Sequence, residues 1–260
     1  SDPKWHHRGM SIATLTPPLT AAGQLDAVLA ERGVAVIDAT SLGELLDMLP
    51  GMTERSISQW APFWSRLAPD QYLRDGGRYR QRRHGSFVIE GGSLSAAPHR
   101  AHWQPVEYNA LHGGIERWFQ PLESGFAADA TWQRLLLMLG DRANRLRGEQ
   151  PWYCEAHQFR IDTAGGIGRP TPEGAHRDGV DLVAVLLIGR SGIKGGETRV
   201  FDADGPAGQR FTMSEPGQML LLDDAHMIHE TTPIQPLEPH RIGHRDTLVI
   251  TLRAQGFQGP

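Results

Sequence analysis

The chain has 260 residues, 39% hydrophobic and 22% charged, which suffices for one sizeable core in a single domain or one with an added lobe. Its 26 basic residues stand against 30 acidic ones, a formal charge of -4 that argues against a general nucleic-acid binder. No apolar run approaches the roughly 18 residues of a membrane span, no secretory leader is visible, and the lone Cys154 cannot form an internal disulfide, so a reducing cytoplasm is the expected setting.

Residues 1–9 read as an extension ahead of a candidate start at Met10, and His6 and His7 within it are poor ligand candidates. Leu25, Val28 and Leu29 have helical spacing, which predicts a helix over Gln24 to Arg32 stopped by Gly33, then a strand from Val34 to Ile37. Leu42 to Met52 reads as a second short helix, with a turn marked around Leu49 to Gly51 and the aromatic run Trp60 to Leu67 packed on it. Arg74, Arg78, Arg80, Arg82 and Arg83 form the most basic run. Arg78, Arg80 and Arg82 alternate, so on a strand they share one face. That face is either a solvated edge or an anion-binding lip, since guanidinium forks match carboxylates bidentately.

Phe87 to Ile89 reads as strand running into a Gly91-Gly92 turn. Trp132 to Leu146 predicts a helix of about four turns against the outside of a sheet, with Arg134, Arg142, Arg145 and Arg147 toward water. From Trp152 onward short strands are separated by Gly and Pro turns: Trp152 to Ile161, Leu182 to Ile188, Gly195 to Phe201, Arg210 to Met213, Gln218 to Leu222, Ile228 to Thr232 and Thr247 to Leu252. This pattern indicates an antiparallel sandwich or barrel. On the first of these strands Glu155, His157 and Phe159 fall on one face. Gly165 to Gly168 does not have the spacing of a dinucleotide-binding loop.

The chemistry concentrates in Pro172-Glu173-Gly174-Ala175-His176-Arg177-Asp178-Gly179-Val180-Asp181, just ahead of an apolar run. In an extended segment His176 and Asp178 aim an imidazole and a carboxylate at one point. A third ligand must come from elsewhere, and Asp223 to Pro233 offers His229, with His226 as its competitor. The two face opposite sides of a strand, so both cannot readily ligate. Two His and one carboxylate make the facial triad of non-haem Fe(II) sites, which leaves positions open for substrates.

Four segments carry a family resemblance: PEGAHRDGVD at 172–181, GGETRVFD at 195–202, HETTPI at 229–234 and HRDTLVITL at 244–252. With the run Gly77 to Phe87 and the strand His157 to Arg160, they resemble the Fe(II)/2-oxoglutarate-dependent dioxygenases, and among these the bacterial group of the L-isoleucine dioxygenase and BsmA-like proteins. The likeness covers roughly residues 70–252. It implies a mainly β fold with flanking helices around a double-stranded β-helix (jelly-roll) core, in one domain over 10–260. In that domain 10–150 supplies helical and strand support and 152–252 the core. It also implies that His176, Asp178 and His229 ligate iron. Arg245 then binds 2-oxoglutarate, with Thr247 at the helper hydroxyl position more often filled by Ser; Arg241 is the rival Arg.

The implied partners are dioxygen and a small-molecule substrate, with neither nucleic acid nor membrane; oligomeric state leaves no signature. The substrate is expected to be a free aliphatic L-amino acid. Arg78, Arg80 or Arg82 would take its carboxylate and Glu155 or Glu107 its ammonium, with His157 and Phe159 walling the side chain. Two alternatives remain: a cupin-like metal-binding protein, marked by the absence of an Arg reaching the metal cavity, and a noncatalytic biofilm- or stress-related binding protein with a decayed site.

Overall fold

The computed structural model describes residues 15–260, so His6, His7 and Met10 lie outside the described residues. The strands in chain order are β1 (Val34–Ile37), β2 (Arg80–Glu90), β3 (Ser93–Ala96), β4 (Trp152–Asp162), β5 (Leu182–Ser191), β6 (Ile193–Gly195), β7 (Thr198–Asp202), β8 (Gly208–Phe211), β9 (Met219–Asp223), β10 (Met227–Thr231), β11 (Ile234–Pro236) and β12 (His244–Arg253). Seven of them make one antiparallel sheet in the order β1-β9-β5-β12-β4-β2-β3. A three-stranded sheet, β10-β7-β8, and a two-stranded one, β11-β6, complete a jelly-roll core. The helices are α1 (Leu25–Arg32), α2 (Ala39–Leu45), α3 (Met52–Trp64), α4 (Ser124–Ala127) and α5 (Ala130–Arg147). Among the described residues, no helix is long and apolar enough to cross a membrane.

Period-two alternation sorts the main sheet into two faces. Leu182, Ala184 and Leu186 of β5, Met219 and Leu221 of β9, and Leu248, Ile250 and Leu252 of β12 pack against the helices in the larger apolar cluster. Cys154 and Ala156 of β4 belong to the same side, and burial pushes the Cys154 thiol pKa up, consistent with a packed rather than reactive cysteine. On the opposite face Val183, Leu187, Leu220 and Leu222 meet Val200, Phe211 and Met227 of the three-stranded sheet. Each fully buried side chain of this kind contributes about 1.5–3 kcal/mol. Toward β2 and β4 that inner face turns polar, and there it lines a cavity.

α5 begins at Asp129, whose carboxylate accepts from Trp132 N–H at 2.9 Å, and it buries Trp132, Leu135, Leu136, Leu139 and Ala143 at helical spacing. Gly33, at φ 74°, ends α1 and turns the chain into β1. The single helix expected over Leu42 to Met52 is instead two. Pro50 and the left-handed Gly51, at φ 82°, separate α2 from α3, and the aromatic run from Trp60 forms the last turn of α3. The Trp64 indole from α3 donates to the Thr247 carbonyl at 3.0 Å and ties the helix layer to the middle of β12. Arg147 does not simply face water, because it bridges Asp181 and Asp223. The N-terminal part contributes strands as well as helices: β1 extends the main sheet at one side, and β2 and β3 at the other.

Candidate active site

His176 and Asp178 stand in the irregular segment before β5 rather than in a strand. Backbone pairing fixes the loop: His176 and His229 exchange N–H···O bonds of 3.0 Å, joining it to β10. His176 Nε2 lies 3.5 Å from Asp178 Oδ1, and His229 Nε2 lies 3.8 Å from Asp178 Oδ2. His176 Nδ1 donates to Gly174 O at 2.9 Å, which turns its Nε2 toward the other two groups. Asp224, fully buried, accepts from the backbone N–H groups of Asp178, Gly179 and Val180 at 3.0, 2.7 and 3.0 Å and so holds the Asp178 turn.

The two imidazoles differ electrically. Burial opposes charge on both. For His176 the Asp178 carboxylate 3.5 Å away and the Glu173 charge outweigh it and raise the pKa to about 10, so Nε2 carries a proton that a metal ion would displace, whereas His229 falls to about 4. His176, Asp178 and His229 each offer a ligand atom, all within 4.8 Å of one another, a donor set that could hold a divalent metal. His226 is elsewhere: its side chain is 62% exposed and bonds Asp223.

Arg245 and Thr247 point into the same cavity from β12. Arg245 is 4% exposed, has no carboxylate in ion-pair range among the described residues, and its Nε lacks any partner there. Burial and neighbouring Arg190 lower its pKa to about 10. Arg241, the rival, is exposed and paired with Glu238.

β2 and β4 build the far wall. Arg80 and Arg82 enter it, sharing Asp70 at 2.8 and 3.6 Å. Arg82 is also held between the Phe119 and Phe159 rings, at 3.7 and 4.4 Å, and bonds His157 Nδ1 at 2.9 Å. Glu155 accepts from His84 Nε2 and His102 Nδ1 at 2.9 and 3.1 Å. Arg78 does not belong to this face. An Asx turn at Asp75, whose Oδ1 accepts from Gly77 N–H at 2.8 Å, delays the strand until Arg80 and leaves Arg78 exposed, and Glu107 is exposed as well. The third wall, from His102 to Arg117, was not foreseen. Gln104, Asn109, His112 and Arg117 reach the cavity from an irregular stretch with no periodicity to read.

Comparison with known proteins places this geometry. The 2OG-Fe dioxygenase family matches residues 61–251. A BsmA homologue from Methylobium petroleophilum PM1 superposes with a TM-score of 0.87 at 51% identity, over 93% of this chain and 96% of that one. IDO from Bacillus thuringiensis has a TM-score of 0.73 at 16% identity, covering 91% of this chain and 96% of its own, and shares the fold. The Fe(II)/α-ketoglutarate-dependent dioxygenase TqaL does so at 0.69 and 18%, over 89% of this chain and 86% of its own. No significant match is found among functionally curated proteins. A cluster of two histidines and one carboxylate is a donor set of non-haem Fe(II) oxygenases. The chain belongs to the 2OG-Fe dioxygenase family. It is an Fe(II)- and 2-oxoglutarate-dependent dioxygenase that acts with dioxygen on a small molecule.

Proposed function

We propose that His176, Asp178 and His229 hold the Fe(II), that Arg245 with Thr247 binds the distal carboxylate of 2-oxoglutarate, and that the substrate is a free aliphatic L-amino acid or similar small zwitterion. The observation that carries the reading is Arg245, a buried cation without a carboxylate partner among the described residues, facing the cavity that also holds the triad. A buried guanidinium is stable only with an anion at hand. A cupin-like protein without 2-oxoglutarate has no use for it, and a decayed binding protein has no reason to keep both it and the triad.

When bound, Fe(II) supplies the redox step that couples decarboxylation of 2-oxoglutarate to succinate and carbon dioxide with hydroxylation of a C–H bond. The chain's own residues aim and exclude. Gly174 and Asp224 fix the orientation of His176 and Asp178. Arg245 anchors the cosubstrate's far end, and the Thr247 hydroxyl stands one alternate position along β12. Phe159 and His157 give flat walls for a side chain.

Charge supports a zwitterion. The guanidiniums Arg80, Arg82, Arg117 and Arg245 are matched by the carboxylates Asp70, Glu155, Glu173 and Asp178 around the cavity. Fe(II) and doubly charged 2-oxoglutarate cancel each other, so a substrate of no net charge keeps the buried site neutral. The test is anaerobic reconstitution with Fe(II), then oxygen, 2-oxoglutarate and each standard L-amino acid. Succinate formation and a product heavier by one oxygen are expected with Leu, Ile or Met. A silent screen with persisting uncoupled 2-oxoglutarate turnover ends the amino-acid assignment and leaves the iron chemistry.

A further inference from the structure

We propose that Arg117 is the seat of the substrate's carboxylate, an inference that deepens the amino-acid reading above and rests on it. Among the described residues, four guanidiniums are less than a tenth exposed: Arg80, Arg82, Arg117 and Arg245. All four line one cavity. Arg80 and Arg82 are committed to Asp70, itself fully buried. Arg117 and Arg245 have no carboxylate in ion-pair range among the described residues, and the Nε of each lacks a partner there. They resemble each other in consequence: burial, helped by neighbouring arginines, lowers both to a pKa of about 10. An ion removed from water without a counter-ion is stable only if a ligand brings one. 2-Oxoglutarate brings one for Arg245, so Arg117 is left for the second ligand.

The surroundings of Arg117 suit an α-amino acid, whose carboxylate and ammonium are carried on one carbon. Arg117 pairs backbone to backbone with His102, through N–H···O bonds of 2.8 and 3.0 Å, and His102 donates to Glu155 at 3.1 Å. An anion seat and an uncancelled carboxylate thus stand on the same short ladder, because neutral imidazoles donate hydrogen bonds to Glu155 without cancelling its charge. Gln104 ties the seat to the triad. Its Oε1 accepts from Arg117 Nη2 and Asn109 Nδ2, each at 2.9 Å, so its amide N–H must face the other way and meets Asp178 Oδ1 at 3.4 Å. An anion on Arg117 is therefore one amide away from Asp178.

The test uses protein loaded with Mn(II) and 2-oxoglutarate under nitrogen, so that Arg245 is filled, and reads saturable thermal stabilisation by L-leucine, propionate and L-leucinamide. L-Leucine and propionate are expected to stabilise, and L-leucinamide, which lacks the carboxylate, is not. Arg117→Gln is expected to erase both shifts while 2-oxoglutarate affinity stays at the wild-type value, and exposed Arg78→Gln to keep them. If Arg117→Gln does not fold, Arg117→Lys, which keeps the charge but loses the planar fork, is expected to weaken both ligands about tenfold. Wild-type affinity in the Arg117 variants overturns the seat, as does the absence of any shift with both L-leucine and propionate in the wild type. A silent L-leucine arm with an Arg117-dependent propionate shift removes the amino-acid reading and leaves the seat standing.

Discussion

Two histidine clusters of similar composition and opposite character meet at the cavity, the second reaching it through His102 and His157. His176, Asp178 and His229 form one; His84, His102 and His157, with Glu155, form the other. In the first, the inward nitrogens stand 3.5 and 3.8 Å from the carboxylate, beyond hydrogen-bond length, and a backbone carbonyl holds the outer nitrogen of His176. In the second, the carboxylate already takes two N–H groups at 2.9 and 3.1 Å, and a guanidinium holds the third ring at 2.9 Å. In the first cluster the inward nitrogens and the Asp178 carboxylate keep ligand atoms within 4.8 Å of one another and free of short hydrogen bonds. The second is closed to a metal ion, because each ring already spends a nitrogen on Glu155 or Arg82. Counting ligand-type residues does not separate the two; their hydrogen-bond partners do.

The largest test of this contrast is metal stoichiometry. Wild-type protein is expected to take up one equivalent of Co(II) in equilibrium dialysis, Asp178→Ala none and His102→Gln one. Two equivalents in the wild type, falling to one in His102→Gln, would break the contrast. A smaller effect is expected from Asp224→Asn, which turns an amide toward the three backbone N–H groups that hold the Asp178 turn. Metal affinity should fall about 10–100-fold, as for other groups that orient a ligand, read by Co(II) titration. The smallest change concerns the closed cluster. Glu155→Gln should leave metal affinity unaltered but lower stability by about 1.5–3 kcal/mol, the range for hydrogen bonds to a charged group, read by urea unfolding.

That last loss depends on pH in a defined direction. Burial acts to raise the Glu155 pKa, but the His102 and His84 donors outweigh it and hold the carboxyl well below the usual range. The stabilisation is therefore present above the unfolded-state value of about 4.3 and is lost as pH falls through the lower folded value. The wild-type and Glu155→Gln unfolding curves should converge in acid and differ at neutral pH; a constant difference across the range would show that Glu155 is not held as an ion.

The parts of the site that lie on strands were legible because alternation is a physical constraint. Glu155, His157 and Phe159 share a face on β4 for the same reason that Cys154 faces the helices, whereas Arg245 and Thr247 on β12 are expected from the family resemblance and alternation only puts them on one face. The alternation was carried one step too far at Arg78, where a side-chain-capped turn precedes the strand. The helix boundary at Pro50 and Gly51 was seen as a turn but not as the division between two helices. Arg117 and Gln104 could not be read at all: their approach to Asp178 is set by tertiary packing of an irregular segment, and no spacing rule encodes it.

The position of β12 also bears on how the chain reaches its native state. This strand, the last in the sequence, is bonded on one side to β4 and on the other to β5, at the centre of the seven-stranded sheet. Until residues 244–253 arrive, the main sheet is two separate halves, each presenting an unpaired edge where its middle will be. Vectorial folding from the N-terminus is therefore blocked for the sheet as a whole, and its closure waits for distant pairings that are slow to form. The strand that completes the sheet also carries Arg245, so the anchor proposed for 2-oxoglutarate is installed in the same kinetic step that makes the fold cooperative.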